Sequence, residues 1–390
     1  MVELLWLLLP VAAASGWFAA RRTCRPASAS DGATDCKPQY FKGLNYVLNE
    51  QPDKAIEIFV GMLEVDSDAV EMHLALGSLF RRRGEVDRAI RIHQSLIARN
   101  DLTDEQRAEA LQELACDYTR AGLFDRAERL LLELSDIPSH HEIALRLLVT
   151  IFQQQRDWDQ AISFARRLAK AGDESHLTNI AQYLCEQADA AWRHGDMVRA
   201  EEKIRDARDA DPKCARAIIL EGNLHRHHGR LREAIESYEG IEDAAPDLLP
   251  LVVQQLKACY TALDDEAGFD AYLEQSLKRR PRTALVRVLA ERIRANEGEA
   301  AAAQRLERFL VDSPSLSGLD YLVELQAISE GVPACAPLGR VSHLLRRLTD
   351  GRAAFQCVHC GFNAKSHHWQ CPGCKEWGSL RPIEPADIHS

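Results

Sequence analysis

A mainly α-helical fold is predicted for this 390-residue chain: an N-terminal transmembrane helix, a superhelix of about eight or nine helical hairpins, and a small metal-bound C-terminal domain. Three observations predict it. An uncharged apolar run opens the chain, a motif recurs at intervals near 34 residues through the middle, and two Cys-x-x-Cys pairs stand near the end. Length agrees, since one core rarely grows past about 250–300 residues and longer chains divide into units. With 48 Lys+Arg against 59 Asp+Glu the net charge is −11, which repels a polyphosphate and speaks against a nucleic-acid partner. Seven of the 11 cysteines (Cys24, Cys36, Cys116, Cys185, Cys214, Cys259, Cys335) are scattered, unlike a secreted disulfide framework, and point to a reducing compartment.

The first element is LLWLLLPVAAASGWFAA, residues 4–20. As a helix it spans about 25 Å, enough to cross a bilayer when nearly upright. A cleavable signal peptide, the competing reading, starts with positive charge; here Glu3 precedes the run, and Arg21, Arg22 and Arg25 follow it. The positive-inside rule then faces the short N-terminus outward and leaves the bulk of the chain, after residue 21, in the cytoplasm. Trp6 and Trp17 lie near the two interfaces, while Pro10 and Gly16 weaken the helix. The anchor is set at 1–22, and TCRPASASDGATD within 23–35 reads as a tether.

The second element is the repeat region, set at 36–349. Aligned on an alanine (Ala55, Ala89, Ala127, Ala161, Ala200, Ala234, then Gly268 and Ala302), the units recur at 34, 38, 34, 39, 34, 34 and 34 residues. Twelve residues before the anchor stands a small or modest apolar residue (Gly43, Gly77, Ala115, Val149, Ala188, Gly222), where two antiparallel helices approach closely. Five before it, Gly84, Gly122, Gly195 and Gly229 can take the left-handed conformation that ends a helix. Twelve after it, Pro212, Pro246 and Pro314 stop the second helix. The pattern resembles the helix-turn-helix unit of tetratricopeptide repeats over roughly residues 36–315, with degenerate seventh and eighth units and one further helical pair after residue 318. Such a stack presents a long groove suited to a protein segment, so binding is the expected activity.

Arg81–Arg83 and the run RHHGRLR (226–232) fall at the ends of first helices, where cations offset the helix dipole; the reading preferred is a solvated face, against capture of an acidic partner segment or anionic lipid. His93, His140, His141, His194, His225, His227 and His228 show no metal-ligand spacing and read as surface or packing residues. No Walker, HExxH or GxSxG set appears, so the chain is not read as an enzyme.

The third element is set at 350–385, where Cys357-x-x-Cys360 and Cys371-x-x-Cys374 form a four-thiolate set suited to one tetrahedral Zn or Fe. Disulfides are the competing reading, disfavoured in a reducing compartment. Gly361 and Gly373 are expected to supply the permissive backbone, and Phe355, Phe362, Trp369 and Trp377 a small core. His359, His367 and His368 are read as surface or supporting residues, and the domain as packed on the repeats, fixing their curvature. It resembles an abridged rubredoxin or zinc ribbon. Four Lys/Arg against four Asp/Glu over 350–390 leave no basic excess for nucleic acid.

The combination resembles the lipopolysaccharide assembly protein B family of Gram-negative bacteria, most specifically in ELLWLLLPVAAASGW, LGSLFRRRGEVDRAIRIHQSLI, DYTRAGLFDRAERLL and CVHCGFNAKSHHWQCPGCKEWGSLRPI. The resemblance implies a single-pass inner-membrane adaptor regulating lipopolysaccharide synthesis. Its implied partners are the deacetylase of lipid A synthesis, a membrane AAA+ protease that degrades it and another inner-membrane regulator, and it tilts the metal towards iron. A generic scaffold for another inner-membrane complex, or a rubredoxin-like electron carrier, are the alternative functions.

Overall fold

The structure, a computed structural model, describes residues 51–63, 70–170, 175–280, 282–312, 316–329 and 353–383, with isolated positions at 42, 43, 45, 46, 49, 314, 340, 341, 343, 344 and 347. The anchor expected at 1–22 and the tether at 23–35 lie outside the described residues, as do Cys24, Cys36 and Cys335. Among the described residues no helix is long and apolar enough to cross a membrane.

The chain is mainly helical and forms two compact units, Met1–Ala144 and Leu145–Ser390. In the first, α1 (Pro52–Leu63) is followed by the hairpins α2/α3 (Val70–Arg83, Val86–Ile97) and α4/α5 (Asp104–Arg120, Phe124–Leu134). The division falls within α6 (His141–Gln155), which pairs with α7 (Trp158–Lys170). The second unit continues with α8/α9 (Ser175–Arg193, Met197–Ala210) and α10/α11 (Ala215–His227, Leu231–Glu239). After the short α12 (Ile241–Ala244) and a 3-10 turn (Pro246–Leu251) come α13/α14 (Val253–Ala262, Glu266–Arg279), α15/α16 (Thr283–Glu297, Glu299–Asp312) and α17 (Leu316–Ser329).

The anchor alanines Ala55, Ala89, Ala127, Ala161, Ala200, Ala234 and Ala302 are all buried, because each sits where the second helix of a hairpin touches the first. The small positions have a partner that the sequence reading missed. Sixteen residues after each stands a side chain of complementary size: Gly43 with Phe59, Gly77 with His93, Ala115 with Leu131, Val149 with Ala165, Ala188 with Ile204 and Gly222 with Tyr238. A Cβ on Gly43 would lie 2.8 Å from Phe59 Cζ, and one on Gly222 2.5 Å from Tyr238 Cε1. The helix-to-helix gap is thus filled to constant volume, with glycine wherever the second helix contributes a ring. Gly222→Ala is expected to destabilise by about 1–3 kcal/mol, overpacking outweighing the gain in helix propensity of about 1 kcal/mol. Adding Tyr238→Leu, which recreates the pairing of Ala115 with Leu131, should recover at least half of the loss in urea unfolding; no recovery would contradict the volume argument.

Between paired helices the predicted glycines take the left-handed conformation: φ is 89° at Gly84, 74° at Gly122, 78° at Gly195 and 72° at Gly229. The α6/α7 turn uses Arg156 instead, at φ 60°. A side chain there costs about 1–2 kcal/mol, against about 0.5–1 kcal/mol for the extra freedom glycine loses on folding. Arg156 is exposed, so Arg156→Gly is expected to raise stability by up to about 1 kcal/mol, read as a higher urea midpoint at unchanged slope.

The seventh repeat corrects the expected alignment by one residue. Gly268 is not its core anchor: its N–H is bound by the Asp265 carboxylate capping α14, at 2.9 Å, and Phe269 and Leu273 fill the core. The left-handed residue shifts likewise, to Asp264. The preceding helix of this hairpin, α13, begins only at Val253, after a 3-10 turn that contains Pro250.

Arg81 also departs from the expected solvated face. It bridges α2 to α4 through Glu113 at 2.6 Å and Asp117 at 2.7 Å, and Asp117 in turn meets the fully buried His93 at 2.5 Å. Burial pushes the Glu113 carboxyl up, but Arg81 outweighs it and holds the group below its usual range.

At the C-terminus three short strands, β1 (Phe355–Cys357), β2 (Asn363–Ala364) and β3 (Leu380–Pro382), form an antiparallel sheet in the order β2-β1-β3. Phe355 pairs with both Ala364 and Pro382, and Cys357 with Leu380.

Candidate metal centre and its docking surface

The two cysteine pairs fold into matching knuckles. In the first, the Gly361 N–H bonds the Cys357 carbonyl at 2.9 Å and the Cys357 N–H bonds the Phe362 carbonyl at 2.8 Å. In the second, Lys375 N–H to Cys371 carbonyl and Cys371 N–H to Glu376 carbonyl repeat the pattern, both at 2.9 Å. The residue closing each knuckle is left-handed: Gly361 at φ 75° and Lys375 at φ 64°. Gly373, expected in that role, is not left-handed; a Cβ on it would meet Phe362 Cβ at 3.4 Å and Cys360 Sγ at 3.5 Å, ordinary contact distances, so neither backbone nor packing requires glycine there.

The knuckles bring all four Sγ atoms of Cys357, Cys360, Cys371 and Cys374 within 4.8 Å of one another. Cys357 to Cys374 and Cys360 to Cys371 are each 3.7 Å apart. A tetrahedron of sulfurs with metal–sulfur bonds of about 2.3 Å has edges of about 3.8 Å, so the donor set already has the dimensions of a four-thiolate metal site. Burial pushes the Cys357 thiol up, but the Ser379 hydroxyl at 3.3 Å and the amides of Cys360 and His359 bring it down to about 6. Cys374 moves oppositely: the Glu376 amide lowers it, while burial and the neighbouring sulfurs carry it up to about 12. Four thiols this close cannot all ionise unless a cation lies among them. Zn and Fe both suit the set, and four protein ligands leave no open position for substrate. Such a metal would fasten the sheet to both knuckles.

The ribbon's own core is small: Cys357, Cys371, Ala364 and Leu380 buried, with Phe355 and Cys374 against them. Phe362, expected in that core, is 38% exposed, and His359 and His368 are exposed too. His367 stacks edge-on between Phe355 and Trp369, at 5.4 and 4.5 Å between centroids; burial first, then Arg381, pushes it down to about 4, keeping it neutral.

The two tryptophans do something else: they reach out of the ribbon to the repeats. Trp377 meets the stacked pair Trp158–Tyr183 edge-on, at 6.2 and 6.0 Å between centroids. Its indole N–H donates to Gln153 Oε1 at 3.4 Å, the atom that also accepts from the Tyr183 hydroxyl at 2.8 Å. Trp369 packs on the hydrophobic core running from α10 to α15, with the Arg216 guanidinium 5.8 Å from its ring. Arg216 is held by Glu186 at 2.8 Å and by Asp189. On the ribbon's far side Arg381 reaches Asp247, which also pairs with Arg282 at 2.5 Å. The receiving residues lie mostly on the first helices of three successive hairpins, α6, α8 and α10. One signal in the sequence could have announced this: a ribbon of about 30 residues held by metal has no interior large enough for two indoles.

A helical-repeat protein carrying a four-cysteine ribbon locked onto its own repeats is the class that fold and site define. Comparison with known proteins narrows it. A family model described as rubredoxin metal binding domain matches residues 355–382, and tetratricopeptide repeat models match 73–106, 144–178 and 185–248. Lipopolysaccharide assembly protein B of Escherichia coli (strain K12) is 36% identical over 394 residues, spanning 99% of this chain and 100% of that one. The Haemophilus influenzae protein of the same name is 32% identical, spanning 98% of each. The chain belongs to the lipopolysaccharide assembly protein B family. Among solved structures, the C-terminal part of a repeat-containing protein from Cytophaga hutchinsonii aligns with 63% of this chain and 98% of its own, at TM-score 0.45 and 13% identity.

Proposed function

We propose that the chain is an inner-membrane adaptor regulating lipopolysaccharide synthesis, which brings the deacetylase of lipid A synthesis to a membrane AAA+ protease for degradation. The observation that carries the reading is membership of the family over the full length, ribbon included. The division of labour follows from the parts. Residues 4–20 tether the chain, in a single pass with the N-terminus periplasmic, the repeats hold the client, and the ribbon with its metal stiffens the hairpins on which it docks. Tethering supports such a role physically, since client and protease are held at high effective concentration beside one membrane. The domain limits 1–22, 23–35, 36–349 and 350–385 belong to the same proposal.

Affinity purification of the membrane-tethered chain, with mass spectrometry of co-purified proteins and metal analysis, tests it. Enrichment of the deacetylase and the protease is expected. Recovery of redox enzymes with bound iron, and no protease, would sink the adaptor in favour of an electron carrier.

A further inference from the structure

Beside the docked ribbon, the first helices α8, α10 and α13 enclose an open cleft of about 590 Å3, lined by Asp189, Trp192, Leu220, Asn223, Arg226, His227 and Gln255. Its size is that of a ligand cleft. We infer that this cleft is where a protein client is gripped, by an acidic side chain set next to an aromatic or aliphatic one; the inference rests on the adaptor reading and assigns its contact residues.

The argument starts from charge. The other arginines that brace this unit are neutralised: Arg216 by Glu186 and Asp189, Arg292 by Asp270 and Glu266, Arg282 by Asp247. Arg226 has no carboxylate partner among the described residues, although the chain as a whole is acidic at −11. It lies beside the Tyr238 hydroxyl, and that hydroxyl donates to Asn223 Oδ1 at 2.8 Å. Asn223 and Arg226 both line the cleft, so a guanidinium that is shared only with a neutral hydroxyl stands beside a side-chain amide. The one carboxylate in the lining, Asp189, is already taken by Arg216. A carboxylate entering from outside therefore meets donors and little repulsion.

Of the remaining lining residues, His227 and Gln255 are polar and Trp192 and Leu220 apolar. The Trp192 indole stands edge-on to the His227 ring at 5.2 Å between centroids, and Leu220 lies alongside. A free inorganic anion would leave this surface uncovered, whereas an acidic residue with an apolar neighbour covers both parts at once. The open side of the cleft admits a continuing chain, which fits a segment of protein.

The test uses the full chain in detergent with two labelled peptides, Ser-Gly-Phe-Glu-Gly-Ser and the same peptide with Gln for Glu, read by fluorescence anisotropy. The wild type is expected to prefer the Glu peptide by about tenfold, the worth of one charge-assisted hydrogen-bond pair. Arg226→Gln should abolish the preference, Arg226→Lys restore part of it, and Arg232→Gln, on the exposed face of α11, leave it intact. Equal binding of both peptides, or a preference that survives Arg226→Gln in a chain with an unchanged unfolding midpoint, overturns the assignment. So does displacement of the peptide by inorganic phosphate that itself binds as tightly, which would mark a free-anion site. Capture of the deacetylase is measured alongside. A wild type that discriminates the peptides but captures no deacetylase leaves the cleft standing and removes the adaptor reading. Capture that is equal in wild type and Arg226→Gln, without peptide discrimination, does the reverse.

Discussion

A chain with serine at Cys357, Cys360, Cys371 and Cys374 is expected to bind no metal and to lose the ribbon while keeping its helices. The asymmetry follows from what holds each part. Four buried apolar or sulfur-bearing residues make up the ribbon's own core, and its strands are only two or three residues long. A structural metal contributes about 10–16 kcal/mol to such a fold, far more than so small a core can replace. The helical hairpins depend instead on cores between neighbouring helices, such as that joining Ala234, Tyr238, Leu256, Phe269 and Leu285. Far-ultraviolet circular dichroism should therefore change little. Tryptophan emission should shift to the red as Trp377, 8% exposed in the folded chain, enters water. Limited proteolysis should cut within 353–383 first. A ribbon that stays protected in the serine variant would show that docking alone folds it, and the metal would then be an accessory.

The difference between what could and could not be read from the sequence tracks the range of the interaction. Gly84, Gly122, Gly195 and Gly229 encode a local backbone state, visible at a fixed offset; Arg156 does the same work in a residue type that does not advertise it. The knuckles were legible for the same reason, because four ligands and one ion need only two local turns. Gly373 and Lys375 show where local reading stops, since the second knuckle turns left-handed at Lys375 and not at the glycine two residues before it. The offset of the seventh repeat is a shift of one residue, hidden because Gly268 fits the small-residue position while its neighbour Phe269 is the one buried.

Contacts far apart in sequence were hidden altogether. Nothing near Arg81 in the chain announces that Glu113 and Asp117 will neutralise it across a helix pair, so a run of arginines read as a solvated face. Trp377 and Trp369 looked like the core of the domain that carries them. Their partners, Trp158, Tyr183 and Arg216, are at least 150 residues earlier, and only the fold brings them together. The complementary sizes sixteen residues apart lie between these extremes: a regular spacing, but one whose meaning needs the helix-to-helix distance.

Trp377→Ala separates docking from metal binding. The indole packs edge-on against two rings, contacts worth about 0.5–1.5 kcal/mol each beyond the area they bury, and its truncation in a buried setting costs about 3–5 kcal/mol. Its hydrogen bond to Gln153 is long at 3.4 Å and shares an acceptor with Tyr183, so loss of that bond adds little. Most of the cost should fall on docking, because Trp377 is absent from the ribbon's own core. The variant is thus expected to retain one metal per chain while amide hydrogens of α8 and of the ribbon exchange faster, by a factor of about a hundred or more where exchange requires undocking. Arg216→Ala would be a poor substitute for this experiment, since it also strands Glu186 and Asp189 without their cation. If Trp377→Ala releases the metal as readily as it loosens the interface, then docking and metal binding are one cooperative unit, and the repeats help to shape the site that the four cysteines fill. If the metal stays and only the interface loosens, the ribbon is a self-sufficient clamp, and its grip on α6, α8 and α10 can be weakened or restored without touching a ligand.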